Sequence, residues 1–162
     1  MTAARRLAAG CVAAGIFLAG MAPGPPARPP VSAAGFTVLA ADFHVHGFPD
    51  GIAPWDAARE ARRRRLDVIA LTSHNTRFGW WLWTRAPRWL APSDVLVLPG
   101  EELTSVGYHL ALVGVSHAIE WNQPMREAAD AARAAGGVAI LAHPGGETVK
   151  RLLTDDALRS LD

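Results

Sequence analysis

Histidine and acidic side chains recur beside the apolar, strand-like runs of this chain. Imidazole and carboxylate groups together suit zinc, manganese or iron. The single cysteine, Cys11, lies in the N-terminal apolar segment, so any metal must be held without thiolates. One histidine, His117, lies outside the pattern and suits an ordinary surface position. The candidate metal ligands are His44, His46, Asp50, His74, Glu101, His109 and His143.

The most specific local feature of this set is the segment His44-Val45-His46. Side chains alternate between the two faces of a strand, so residues two apart point the same way. His44 and His46 could therefore bind one ion from the end of a single strand. Asp50 follows in a glycine-flanked loop, where it could supply a further ligand.

The elements that must position these residues alternate between strands and helices. Near-continuous apolar strands separated by amphipathic helices are typical of a parallel sheet covered by helices. Such sheets bind ligands at the carboxyl ends of their strands, where most of the candidates fall. The predicted strands are 36–46, 68–72, 95–98 (running on to 101), 110–115 and 138–142, and the predicted helices are 54–65, 124–135 and 152–161.

His109 does not follow this rule, because it opens a predicted strand instead of ending one. A tight return through Ser105–Tyr108 would bring His109 back beside Glu101. The sequence alone does not establish that return.

The N-terminus has the layout of an export signal. Arg5 and Arg6 precede an uncharged apolar run that ends near Ala22, so residues 1–22 are predicted to be a signal peptide or an N-terminal membrane anchor. Residues 23–33 form a proline-rich linker, and the folded domain is predicted to span 34–162. We therefore expect an exported protein that meets a membrane only through this segment.

Size and charge narrow the choice of function. The chain has 162 residues, whereas a complete eight-stranded α/β barrel takes about 250. A net charge of +1 neither indicates nor excludes a nucleic-acid partner.

Four segments, in order, resemble the motifs of the PHP (polymerase and histidinol phosphatase) family of metal-dependent hydrolases. The resemblance extends from about residue 40 to residue 146, and the exported subgroup that includes carbaryl hydrolase looks most similar. The four segments are Asp42–His46 with Asp50-Gly51, Leu66–Thr76, Pro99–Glu102 with Tyr108–Leu110, and Ala139–Pro144.

This resemblance implies a distorted β/α barrel, here incomplete with about five strands, and two or three divalent ions of zinc, manganese or iron. His44 and His46 would bind the first ion, and Glu101 would bridge it to a second ion completed by His109 and His143. Asp50 and His74 would hold a third ion. Glu101 and His143 are also the catalytic candidates.

Two departures from the family pattern bear on activity. Ser73 stands where many members have an aspartate, which could alter how His74 is oriented. The late Asp-x-His motif has no match after His143, so we expect either a C-terminally truncated domain or a reduced site.

The function that this resemblance predicts is hydrolysis of a small-molecule phosphoric ester by metal-activated water. The alternatives are hydrolysis of a carbamate or carboxylic ester, and a metal-binding module without turnover. A further open question is the role of four tryptophans, which could line an aromatic substrate pocket or pack in the core: Trp80, Trp81, Trp83 and Trp89.

Overall fold

A five-stranded sheet with helices packed against it forms the body of the domain, as seen in a computed structural model. The structure describes residues 4–8, 10–12, 29–87, 89–90, 94–145, 159 and 161. The strands are β1 (Val31–Ala33), β2 (Phe36–Val38), β3 (Ala41–Val45), β4 (Val68–Leu71), β5 (Leu96–Thr104), β6 (His109–Val113) and β7 (Val138–Ala142). The helices are α1 (Pro54–Arg63), α2 (Phe78–Trp83) and α3 (Met125–Ala134).

The main sheet is mixed, which corrects the prediction of a parallel sheet. Its order is β3-β4-β5-β6-β7, and only β3, β4 and β5 run parallel. Strand β6 is antiparallel to both of its neighbours. The physical reason is the short connection between β5 and β6: four residues can close a hairpin, whereas a parallel crossover needs a dozen or more. The tight return through Ser105–Tyr108 is therefore present, and Thr104 pairs with His109.

The sheet is strongly curled. Strands β3 and β6 are separated by two strands, yet some of their Cα atoms lie within 8 Å of each other. Across a flat sheet this separation would be about 14 Å. The five strands predicted from the sequence are thus present, and their curl fits part of a barrel.

One hydrophobic core lies between α3 and the outer face of strands β5, β6 and β7. Helix α3 presents alanines to the sheet at helical spacing, and small side chains let the helix approach closely. Gly136 ends the helix region with a φ of +81°, a conformation that glycine adopts without strain. Buried members of this core include Leu103, Leu110, Leu112, Val115, Met125, Ala128 and Ala132.

A second core lies between α1 and strands β4 and β5. Pro54 occupies the first turn of α1, where its missing N–H costs nothing. The apolar side of the helix then packs onto β4, all four residues of which are buried. Trp80 and Trp83 of α2 pack partly against this cluster. Its buried members are Ala57, Ala58, Ala61, Ile69, Leu71, Val95 and Val97.

The segments before the sheet are exposed. Strands β1 and β2 form a hairpin whose turn residues, Ala34 and Gly35, both have positive φ, as two-residue hairpins require. Strand β1 lies within the segment predicted to be a linker. Residues 4–8 and 10–12 are helical, and no described helix has the length and apolarity needed to cross a bilayer. The predicted helix 152–161 lies largely outside the described residues.

Candidate metal centre

One edge of the sheet gathers the histidines. His44 is in β3, His46 follows it, and His74 follows β4. His109 opens β6, but because β6 runs antiparallel, its first residue lies at the same edge as the last residues of its neighbours. His143 follows β7 directly. The topology therefore brings together all five histidines that the sequence singled out, whereas His117 lies away from them and contacts Ser116.

The carboxylate at the centre of this cluster belongs to Glu102. Its Oε2 atom lies 3.2 Å from His44 Nε2, 3.0 Å from His46 Nε2 and 3.0 Å from His74 Nδ1. The side chain is completely buried, at 0 % exposure. Three imidazole nitrogens and a carboxylate oxygen thus converge at one point beneath the surface.

The second oxygen of Glu102 faces the other two histidines. Oε1 lies 2.7 Å from His109 Nδ1 and 3.5 Å from His143 Nε2. His143 has a φ of +51°, which a non-glycine residue adopts at a cost in energy, and its side chain is 67 % exposed. Glu102 therefore joins two groups of histidines, one through each oxygen.

The surroundings of Glu102 Oε2 fit a bound cation. This atom is buried and has no hydrogen-bond partner, because none of the three nearby nitrogens directs a hydrogen at it in suitable geometry. A buried polar atom without a partner is costly and uncommon. Metal–ligand bonds of about 2.0–2.2 Å place the ligand atoms of one ion roughly 3 Å apart. The separations around Oε2 have this size, so the residues present fit a divalent metal ion.

Asp50 fixes the orientation of two of the histidines. Its Oδ2 atom lies 3.2 Å from His46 Nδ1 and accepts the backbone N–H of His74 at 2.7 Å. Burial would raise the pKa of Asp50, but these hydrogen bonds outweigh it and hold the pKa below the ordinary value. An ionised carboxylate only accepts, so His46 Nδ1 must donate, and in the neutral imidazole Nε2 then presents a lone pair towards Glu102.

That lone pair strengthens the case for a cation. His46 Nε2, His44 Nε2 and Glu102 Oε2 lie 3.0–3.2 Å from one another. In the neutral tautomer, His46 Nε2 and Glu102 Oε2 are two acceptor atoms that repel at this distance unless a positive charge, such as that of a metal ion, lies between them. Three combinations of side chains place their ligand atoms close enough to share an ion: His44, His46 and Glu102; His46, Asp50 and His74; and His74, Glu102 and His109.

Thr104 supports the centre, although no sequence motif indicated a role for it. Its hydroxyl lies 2.7 Å from His74 Nδ1. Its backbone N–H donates to Asn75 Oδ1 at 2.7 Å, while Asn75 Nδ2 donates to the Thr104 carbonyl at 3.1 Å. Thr104 lies two residues after Glu102 in β5, so strand alternation puts it on the same face. Ser73, by contrast, donates to the Gly47 carbonyl at 2.8 Å and does not touch the His74 ring.

The choice of Glu101 as the bridging carboxylate needs correction. Glu101 and Glu102 are adjacent in β5, so their side chains point to opposite faces. Glu101 lies on the α3 side, where its Oε1 accepts the Ile119 N–H at 2.6 Å and its buried Oε2 has no partner. The residue in the position predicted for Glu101 is therefore Glu102.

The two adjacent glutamates differ in how their sites affect ionisation. Burial would raise the pKa of Glu102, but the hydrogen bond with His109 and the proximity and charges of His44 and His74 outweigh it, so its pKa lies below the ordinary value. Burial raises the pKa of Glu101, and the Ile119 N–H offsets this only in part. Glu102 is thus suited to remain a carboxylate among the histidines.

We expect Glu101→Gln to change how stability depends on pH. The folded state raises the pKa of Glu101 above the ordinary 4.5, so it binds this proton more tightly than the unfolded chain does. The wild type therefore loses stability as pH rises from 4.5 through the folded-state pKa, and glutamine lacks this loss. Urea unfolding of the metal-free proteins between about pH 4 and about pH 8 measures the effect.

As pH rises, the unfolding free energy of Glu101→Gln should increase relative to that of the wild type. Glu120→Gln, at an exposed position in the same loop as Ile119, is the control and should show no comparable trend. A pH-independent difference for Glu101→Gln would contradict a buried, ionisable Glu101.

Comparison with known proteins adds evidence on the fold. No protein family model matches this chain, and no curated protein matches it. It is similar to the crystal structure of a two-domain protein from Bacteroides vulgatus ATCC 8482 that contains a predicted PHP-like metal-dependent phosphoesterase. The TM-score is 0.58 at 22 % identity over 80 % of this chain and 42 % of that one, so this chain spans less than half the length of that protein. The similarity supports a PHP-like fold for this chain.

Proposed function

We propose that this chain is a metal-dependent hydrolase that cleaves phosphoric esters with activated water. The observation that carries the proposal is the buried Glu102 Oε2 atom, which three imidazole nitrogens surround without hydrogen-bonding to it. The name of the similar Bacteroides structure, a predicted PHP-like metal-dependent phosphoesterase, supports the choice of phosphoric esters.

The proposed ligands form two groups that share Glu102. His44 and His46 would hold one ion with its Oε2 atom, and His74 and His109 would hold a second with the same carboxylate. His143 would complete the second group from the Oε1 side. A divalent ion in such a site acts as a Lewis acid and lowers the pKa of water towards about 7. Zinc, manganese and iron all suit this set of nitrogen and oxygen ligands.

The side chains around these ligands would have defined tasks. Asp50 would keep the His46 tautomer whose Nε2 atom is free to ligate, since it accepts from Nδ1. The negative charge of Glu102 would offset the charge of the ions in a buried site. His143 is the most exposed histidine of the cluster, so it would complete the second group of ligands at the solvent side.

Chelation followed by re-addition of single metals tests the proposal. We expect the full chain to hydrolyse 4-nitrophenyl phosphate, to lose that activity after chelation, and to regain it with zinc, manganese or iron. The same preparations are assayed on 4-nitrophenyl acetate and an aryl carbamate. If metal-dependent cleavage of the acetate or the carbamate is faster than that of 4-nitrophenyl phosphate, the substrate is a carboxylic ester or a carbamate instead of a phosphoric ester.

A third outcome would distinguish an enzyme from a metal-binding module. Stoichiometric metal binding without hydrolysis of any of the three esters would identify a metal-binding module without turnover. Activity that survives chelation would contradict the proposed mechanism. Export through residues 1–22 stays a prediction from the sequence and can be tested by fractionating cells that express the full chain.

A further inference from the structure

An open cavity of about 590 Å³ lies along helix α2. Small-molecule sites typically measure about 300–1,000 Å³, so the cavity is large enough for a bicyclic ring. Eight described residues line it, two of them arginines and none acidic. Six of these residues are relevant here: Arg77, Phe78, Trp80, Trp81, Arg85 and Ser116.

Aromatic side chains form an exposed row beside this cavity. Phe78 and Trp81 stack with ring centroids 5.3 Å apart and an interplanar angle of 12°. Phe48 continues the row, with its ring centroid 5.8 Å from that of Phe78. These three rings are 40–47 % exposed, which leaves a contiguous apolar surface in contact with solvent. A contiguous exposed apolar patch of this kind commonly marks a binding site.

The two arginines give the cavity a positive charge. The Arg85 guanidinium carbon lies 4.1 Å above the Trp81 ring, which is a cation–π geometry. Arg77 donates to the Ser116 carbonyl at 2.6 Å, while its buried Nε has no hydrogen-bond partner. Arg77 also interacts with the charge of Glu101. Arg85 donates to the Trp81 carbonyl at 3.2 Å and to the Thr84 hydroxyl at 3.3 Å, and it forms no ion pair with a carboxylate among the described residues. The combination of ring surfaces and cations complements a planar group that carries a negative charge.

The cavity adjoins the candidate metal centre through two short segments. Its lining begins at Thr76, two residues after His74. Phe48 belongs to the loop that links His46 to Asp50. Short stretches of chain therefore connect the cavity to the histidine cluster.

We propose that this cavity is a subsite for the part of the substrate that is not cleaved, and that it takes a planar aromatic group with its own negative charge, such as an aryl carboxylate. The proposal rests on the hydrolase function proposed above and names the class of its substrate. A planar group would stack on the Trp81 face that the Arg85 guanidinium covers, and Arg85, displaced from that face, would pair with the anion.

Binding of a simple probe to the metal-free full chain tests the subsite apart from the metal centre. Calorimetry is carried out with 2-naphthoate, with uncharged 2-naphthol, and with cyclohexanecarboxylate. Stacking on an aromatic ring is expected to make 2-naphthoate bind about tenfold more tightly than cyclohexanecarboxylate. Trp81→Ala should weaken both naphthyl probes about tenfold, whereas Arg85→Gln should weaken 2-naphthoate alone.

Matched variants elsewhere on the surface are the controls. Trp121→Ala replaces an exposed tryptophan outside the cavity, and Arg64→Gln replaces an exposed arginine that directly follows α1. Both should bind all three probes as the wild type does. Absence of saturable 2-naphthoate binding, or binding that Trp81→Ala and Arg85→Gln leave unchanged, would overturn the subsite.

Kinetics of the metal-loaded protein distinguish failure of the subsite from failure of the proposed function. The ratio of kcat/KM for 4-carboxyphenyl phosphate to that for methyl phosphate should fall about tenfold in Trp81→Ala, through loss of the aryl ester rate alone. Hydrolysis of both esters with no effect of Trp81→Ala would overturn the subsite and leave the hydrolase function standing. Probe binding that responds to both variants, without hydrolysis of either ester, would support the subsite and contradict the hydrolase function.

Discussion

Replacing Glu102 with glutamine should lower kcat/KM for 4-nitrophenyl phosphate by more than about 100-fold, because even outer partners of metal ligands commonly contribute 10–100-fold. Glutamine keeps the size of the side chain but removes the negative charge that both groups of histidines share. The amide nitrogen of glutamine would also place an N–H donor beside the imidazole nitrogens that would otherwise bind the metal. Initial rates at saturating metal, with circular dichroism as the test of folding, measure the effect.

The neighbouring glutamate provides a matched control. Glu101→Gln alters an equally buried residue one position earlier in the same strand, and its side chain points to the α3 side. We expect its kcat/KM to stay within about tenfold of the wild type, since the residue touches none of the histidines. The reverse result, a large loss for Glu101→Gln and a small one for Glu102→Gln, would show that the strand presents the opposite face to the metal.

Truncating Leu110 to alanine should lower the free energy of unfolding by about 2–5 kcal/mol. The side chain is fully buried on the outer face of β6, where it belongs to the core that α3 covers. Its loss leaves a cavity that Leu103 and Leu112 on the same face cannot fill without moving. Urea unfolding of the metal-free protein measures the change, since bound metal would add its own stabilisation.

An exposed valine in the hairpin before β6 is the control for this prediction. Val106 is 95 % exposed, so Val106→Ala should change the free energy of unfolding by less than about 0.5 kcal/mol. A loss below about 1 kcal/mol for Leu110→Ala would contradict a close-packed core at this position. His109 precedes Leu110 on the opposite face, so the folded fraction of the variant should still bind metal.

The positions of the histidines could be predicted from the sequence because each stands beside an apolar run. Alternation in a strand gives His44 and His46 a common direction, and strand ends gather at one edge of a sheet. His109 could be placed only conditionally, because its position depends on the antiparallel return of β6. That return follows from the length of a connection, and strand pairing is a tertiary property that composition does not determine.

Whether Glu101 or Glu102 faces the histidines depends on which residues of β5 point to each side of the sheet. The apolar run suggested a strand that ends near Glu101, whereas β5 continues to Thr104 and pairs with β6 throughout. Leu103 could have indicated which of the two glutamates faces the histidines. A leucine two residues after Glu101 indicates that Glu101 shares the core face, which leaves Glu102 on the face of the histidines.

The sequence alone did not show which tryptophans pack against the core and which are exposed. Trp80 and Trp83 pack partly against the α1 core, whereas Trp81 and Trp89 are exposed. Helical spacing brings Phe78, Trp81 and Arg85 together, because they lie three and four residues apart on one side of α2 and the turn that follows.

Metal content of the purified full chain, measured by elemental analysis beside Glu102→Gln and a His44→Ala, His46→Ala variant, tests the central claim most directly. The account predicts at least about one equivalent of zinc, manganese or iron in the wild type and a nearly complete loss in both variants, because each removes ligands from the same centre. A well-folded wild type that binds no divalent metal when supplied with all three ions would contradict the account.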